Sequence, residues 1–143
     1  MTMQADSDAI RTLVEGINRA HSDRDARAII APFASDATLF DLSPPLAHGV
    51  SEKATAAWLD TWDGPVSRKV HNLEITVGGD LAYAHGYIHT AAVSNASGAL
   101  AEWWSRATFC LARRAGRWLI VHEHTSVPFY MDGSLKAALD LKP

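Results

Sequence analysis

From Val66 onward the apolar residues of this chain recur at every second position, and that period constrains the fold more than any other feature. Leu73, Ile75 and Val77 alternate with polar residues, and Gly78-Gly79-Asp80 interrupts the run. Leu81, Tyr83, His85, Tyr87 and His89 then alternate with Ala82, Ala84, Gly86 and Ile88. Successive side chains of a strand point to opposite faces, so a period of two marks a strand, and a Gly-rich break between two such runs marks a hairpin. The second strand of this hairpin carries small residues on one face and rings on the other. Ser97-Gly98 predicts the next turn, residues 103–112 the next strand, Arg114-Ala115-Gly116 another turn and residues 118–127 the last strand.

The first part of the chain has a helical period instead. Ser7 precedes Ile10, Leu13, Val14 and Ile17, a cap followed by a stripe at three- and four-residue spacing, which predicts a helix over 7–22. Asp25 opens a second, short helix through Ile29 and Ile30 that Pro32 and Phe33 end, and residues 37–40 read as a short strand entering the loop Ser43-Pro44-Pro45. Ser51 caps a third helix, which carries Trp58 and Trp62 four apart on one face. After the last strand, Asp132 and Ser134 predict a capped helical turn through Leu135 and Leu139. Helices first and a long meander afterwards, with no repeat or linker between them, predict a single α+β domain over residues 1–143.

A chain of 143 residues with 48% hydrophobic and 20% charged residues can build a full core. Its net charge of -3, without a basic block, argues against nucleic acid as a partner. Residues 81–101 contain no Asp, Glu, Lys or Arg, but His85, His89, Ser94, Asn95 and Ser97 interrupt them, so they predict a hairpin and no membrane span. The single cysteine, Cys110, lies in an apolar strand pattern, reads as packing and fits a reducing cytoplasm. Residues 1–8 lack the basic and apolar regions of a secretory signal.

The last strand turns from an apolar run into His122-Glu123-His124. Alternation puts His122 and His124 on one face and Glu123 and Thr125 on the other, and a bulge would exchange the two. If the histidines face inward with His89 and Asp41, they approach a metal-ligand set. Histidines beside Trp and Tyr are more often satisfied by hydrogen bonds, and no metal or other cofactor is expected. Trp58, Trp62, Tyr87 and Trp104 offer amphipathic walls to a flat apolar ligand, whereas Trp103, Phe109 and Trp118 read as core. Arg106 either holds a ligand carboxylate in its planar fork or pairs with Glu102 or Glu123.

The order of elements, the segment from Ser35-Asp36-Ala37-Thr38-Leu39-Phe40-Asp41 through Pro44-Pro45 to His48-Gly49, the strand Arg106-Ala107-Thr108, and the finish from Gly116-Arg117-Trp118 to His122-Glu123-His124-Thr125-Ser126 resemble one family. They are similar to the SnoaL-like and ketosteroid isomerase-like branch of the nuclear transport factor 2-like superfamily. The finish also resembles the association domain of calcium/calmodulin-dependent kinase. The resemblance implies a cone-shaped, curved antiparallel sheet with the N-terminal helices packed in its concave face, and a homodimer through the outer face. It implies that Asp41 is a general base taking a proton alpha to a carbonyl, a role that desolvation in an apolar cone would favour. It turns Val121, Glu123 and Thr125 toward the cavity and His122 and His124 away from it or toward a partner subunit. It puts Trp58 near a pocket tyrosine and Thr108 near an oxyanion-binding acid. That acid and its companion tyrosine, both present in the ketosteroid isomerases, are absent here, where Ile17 or Asn18 falls near the tyrosine's place.

Two readings follow from these residues. In one, the chain is a cofactor-independent isomerase, cyclase or lyase acting on an apolar carbonyl compound, with Asp41, Arg106 and Glu123 as catalytic groups. Trp58, Trp62, Tyr87, His89, Trp104, Thr108, His122 and His124 are then its ligand contacts. In the other, it is a binding or oligomerisation module that does not turn its ligand over.

Overall fold

The computed structural model describes residues 2–143. Three helices, α1 (Met3–Ser22), α2 (Ala26–Ile30) and α3 (Glu52–Leu59), accompany five strands, β1 (Phe33–Phe40), β2 (Trp62–Gly78), β3 (Leu81–Ser94), β4 (Leu100–Arg114) and β5 (Arg117–Ser126). The strands form one open sheet in the order β1-β5-β4-β3-β2. The expected meander from β2 to β5 is antiparallel throughout. The sheet is nevertheless mixed, because β1 pairs with β5 in parallel. A parallel pair requires a long crossover, and here α3 and the β2–β4 meander supply it. No helix among the described residues is long and apolar enough to cross a membrane.

α1 begins at Met3, four residues before the expected start, because the Thr2 side chain accepts from the Ala5 amide and serves as its cap. The early start brings Asp6 into the helix, where it is buried at 3% exposure, in line with the stripe of Ile10, Val14 and Ile17. Asp25 and Ser51 cap α2 and α3 as their sequence positions imply. α3 ends at Leu59, so Trp62 opens β2 instead of extending the helix. Arg24, at φ 55, holds that connection by donating to the carbonyls of Leu59, Trp62 and Gly64. The C-terminal segment contains no helix. Gly133 at φ 90 and Leu135 at φ 54 break helical geometry, and the segment closes through a Phe129–Ala137 bridge with Ala138 buried.

The apolar stripe of α1 packs on the face of the sheet that carries Ala84, Ala107, Phe109, Leu111 and Ile120, and this forms the main core. Small residues on β3 let the helix approach that face, so Tyr83, His85 and Tyr87 are left on the outer one. A second apolar cluster of Ala20, Ile29, Leu59, Val66 and Ala92, with Trp62 against it, fills the other end of the helical layer.

Of the sheet's four register irregularities, two shape the inner face. The β2–β3 register shifts between His71 and Glu74, beside Gly86. The β4–β5 register shifts so that Ile120 pairs with Leu111 and His122 with Cys110, with Val121 as the extra residue. Trp118 and Ile120 therefore lie inside before the bulge and Glu123 lies inside after it.

Candidate functional site

Ionisable side chains from three elements meet on the inner face between the two apolar clusters. Arg68 of β2 and Glu123 of β5 are both buried, each at 8% exposure. Their strands are separated by three strand spacings, about 14 Å in a flat sheet. Arg68 Nη2 nonetheless stands 3.8 Å from Glu123 Oε1, the two long side chains reaching toward each other across the inner face. Arg68 Nη1 donates to Asn18 Oδ1 of α1 at 2.7 Å. One turn further along α1, His21 donates through Nδ1 to the Ile17 carbonyl at 2.8 Å and meets Trp58 edge-on at 5.8 Å.

The two titratable groups beside Arg68 are displaced in opposite directions. Burial pushes the Glu123 carboxyl up to about 7, with Arg68 opposing the rise, Asp41 adding to it and His48 opposing it. Burial pushes the His21 imidazole down to about 4, and the charge of Arg68 works in the same direction. Burial also lowers Arg68 from its ordinary value, against the pull of Glu123.

Asp41 follows β1 and its side chain is 36% exposed. It accepts from His48 Nε2 at 2.5 Å, and His48 Nδ1 meets the Gly49 carbonyl at 2.8 Å. With an acceptor at each ring nitrogen, His48 is best satisfied as the imidazolium. Its pKa is accordingly raised, first by the Gly49 carbonyl and then by Asp41, against partial burial. Backbone pairing brings this pair to the buried cluster. Leu39 of β1 pairs with Glu123 on one side and exchanges backbone hydrogen bonds with His48 on the other.

The aromatic groups divide between the faces. Trp58, Trp62 and Trp103 form a chain of contacts at the helical end of the inner face, with centroids 6.1 and 6.0 Å apart. The buried Trp62 Nε1 has no hydrogen-bond partner among the described residues. Trp104 stands on the outer face, between His71 and His89 with each centroid at 4.9 Å. His89 Nε2 meets Glu102 Oε1 at 2.6 Å, on the face that also carries Tyr87.

Arg106, Thr108, His122 and His124 also belong to the outer face. Arg106 donates to Ser126 Oγ at 3.1 Å and pairs with neither Glu102 nor Glu123. His122 Nδ1 meets the Thr38 carbonyl at 2.6 Å, and Phe40 packs against both His122 and His124. From the expected set the structure brings Asp41 near Glu123, while Trp58 and Trp62 stand together at the helical end, where Trp58 meets His21. It separates them from Arg106, Tyr87, His89, Trp104, Thr108, His122 and His124, and the metal-ligand set of His89, His122, His124 and Asp41 does not converge. The sequence reading did not single out Arg68, His21 or His48. Arg68 could have been noticed as a charge on the apolar parity Val66-x-Arg68-x-Val70.

Comparison with known proteins agrees with this architecture. A family described as the SnoaL-like domain matches residues 10–130. No curated protein matches the chain. Among solved structures, the chain is similar to an NTF2-like protein of unknown function from Pseudomonas putida KT2440. The identity is 36% and the TM-score 0.83, over 100% of this chain and 99% of that one. It is similar in fold to a Xanthomonas campestris protein provisionally named a calcium/calmodulin-dependent protein kinase II association domain, at 18% identity and TM-score 0.69, over 82% and 84% of the two chains. It is also similar in fold to a Streptomyces avermitilis protein provisionally named a dehydratase of the NTF2-like family, at 12% identity and TM-score 0.76, over 87% and 97%.

Proposed function

The chain belongs to the SnoaL-like domain family, and from that premise we propose that it is a cofactor-independent isomerase, cyclase or lyase acting on an apolar, carbonyl-containing small molecule. Asp41 is the general base. The observation that carries this reading is the meeting of an accessible carboxylate, Asp41 on His48, with a buried one, Glu123, raised to about 7 at the same end of the inner face. A carboxyl group raised to about 7 can give up or take a proton near neutral pH, which is what acid–base chemistry requires.

In the proposed reaction, Asp41 removes a proton alpha to the substrate carbonyl. His48, bonded through both ring nitrogens, keeps the Asp41 carboxylate oriented. Glu123 in its protonated form donates to the oxygen that gains charge, and Asp41 returns its proton at another carbon or to a leaving group. Trp58 and Trp62 supply the apolar wall. The dehydratase name carried by one neighbour of similar fold is compatible with this class.

The test is deuterium exchange into a panel of enolisable ketones in heavy water, followed by proton NMR. Asp41→Asn should slow exchange by about 10² to 10⁴-fold. Exchange at the wild-type rate in that variant removes Asp41 as the base.

A non-catalytic binding module is the second reading. It is favoured by the engagement of Asn18 with Arg68 and by the outward position of Thr108, which leave no neutral oxyanion donor where the isomerases have theirs. Ligand binding without exchange in any substrate would select it. In either reading we propose that a second copy covers the outer face, where Tyr83 and Tyr87 are 49% and 39% exposed among groups of both charges.

A further inference from the structure

We infer that Arg68 is a carboxylate-binding residue, and that the ligand of this site carries a carboxylate which takes the place of Glu123 beside the guanidinium. The inference rests on the proposed site and names its ligand class. Arg68 has five N–H donors in a rigid fork. Among the described residues they make one hydrogen bond, Nη1 to Asn18 Oδ1. The contact with Glu123, at 3.8 Å, is an ion pair outside hydrogen-bonding distance. A buried guanidinium ordinarily satisfies its donors, and a bidentate carboxylate is the acceptor that matches its geometry.

Two further observations point the same way. Arg68 and Asn18 line a depression of about 560 Å³ between α1 and β2, with Ser22, Ser67 and Lys69 also on its wall, which brings solvent space next to the buried Arg68. Its surroundings carry excess positive charge, from Arg19 and Lys69 against Asp23, which is already engaged by Arg19. An entering carboxylate supplies the hydrogen-bond acceptor that Glu123, at 3.8 Å, does not.

Competition for one guanidinium makes binding depend on pH. The groups facing Glu123 are Arg68 of β2 and Asp41 and His48 of the loop after β1, while the charge of Arg68 also acts on His21 of α1. With Glu123 near 7, its protonated fraction falls about tenfold between pH 6 and pH 8, and the affinity of a ligand that requires this form falls with it.

The experiment titrates the whole protein with benzoate and with the uncharged benzyl alcohol, read calorimetrically at pH 6, 7 and 8. Benzoate should bind at least about tenfold tighter than the alcohol at pH 6 and lose about tenfold in affinity by pH 8. Glu123→Gln should tighten benzoate and flatten its pH dependence. Arg68→Gln with Glu123→Gln, which removes both buried charges together and so protects folding, should abolish the preference for benzoate. Equal binding of the two probes, no benzoate binding at pH 6, or a preference that survives the double variant each overturns the inference. Since binding is read without turnover, lack of deuterium exchange would sink the catalytic reading while leaving the benzoate preference intact.

Discussion

Replacing Glu123 by Gln should change how stability depends on pH more than it changes stability at acidic pH. The carboxyl rises from 4.5 in the unfolded chain to about 7 in the fold. At about 1.4 kcal/mol per pH unit, a rise of that size corresponds to about 3 kcal/mol. The sign follows from which state binds the proton. Below pH 4.5 both states are protonated and the contribution is fully present. Between 4.5 and 7 the unfolded chain releases the proton first, so stability falls as pH rises, and above 7 the loss is complete. His48, also raised, works in the same direction, while His21 works in the opposite one. The difference between variant and wild type is therefore more informative than either curve alone. Urea unfolding followed by Trp fluorescence from pH 4.5 to 8.5 should show the stability of Glu123→Gln, relative to wild type, climbing by about 3 kcal/mol across that range. A difference that stays constant to within about 1 kcal/mol, the uncertainty of extrapolated unfolding energies, refutes the argument that Glu123 is held protonated by burial.

His21→Phe should flatten the acid limb of the same profile. The imidazole is lowered from 6.5 to about 4, so its contribution is present above 6.5 and is lost as pH falls toward 4. That loss is about 3 kcal/mol in wild type, and an unchanged acid limb in the variant would refute it. Gly86→Ala should destabilise by about 1–3 kcal/mol, the usual range for overpacking. An added Cβ would meet the His71 carbonyl oxygen at 2.7 Å and the Leu73 Cα at 3.3 Å, both backbone atoms of the adjoining β2 irregularity. Urea unfolding checks this, and a variant within about 0.5 kcal/mol of wild type would show that β2 yields without strain. Tyr87→Glu should convert a dimer to a monomer in sedimentation velocity while preserving the far-ultraviolet circular dichroism spectrum. A wild-type protein that sediments as a monomer at 100 µM, a concentration on the order of 10⁻⁴ M chosen to reveal weak association, removes the proposed pairing.

The features legible in the sequence were those carried by local chemistry. The change of period at Val66, the Gly78-Gly79-Asp80 turn and the caps at Asp25 and Ser51 all depend on a few adjacent residues, and each has its counterpart in the structure. Which face of a strand turns inward depends on the whole sheet. On β3, rings occupy one parity and mostly small residues the other, and β4 follows its register. α1 packs against the small residues, so Tyr87, His89, Trp104, Arg106 and Thr108 are directed outward. On β5 the Val121 bulge changes the parity within three residues, which no alternation rule reveals. Arg68 escaped notice for a related reason. It lies on the apolar parity of β2, and its importance comes from Asn18 and Glu123, which are 50 and 55 residues away in the chain, from Asn18 to Arg68 and from Arg68 to Glu123.

Two acid–arginine pairs of this domain have a buried carboxyl group, and their surroundings distinguish a structural charge from a functional one. At the end formed by the β2–β3 and β4–β5 turns, Arg113 donates to Asp6, Asp80 and the Gly79 carbonyl and lies over the Trp118 ring, while Trp118 Nε1 also donates to Asp6. Asp6 is accordingly held below the usual carboxylate range, first by its hydrogen bond from Arg113. Removing water from these charges is offset by hydrogen bonds already in place, so the network can anchor the start of α1 without a ligand. At the other end, Arg68 and Glu123 are both buried but share no hydrogen bond, and Glu123 is driven toward its neutral form. A buried pair with such geometry recovers little of its desolvation cost, and an apolar pair of the same volume would be at least as stable. Fold stability therefore does not account for it. A ligand carboxylate that satisfies Arg68 and leaves Glu123 protonated as the acid opposite Asp41 accounts for both charges at once.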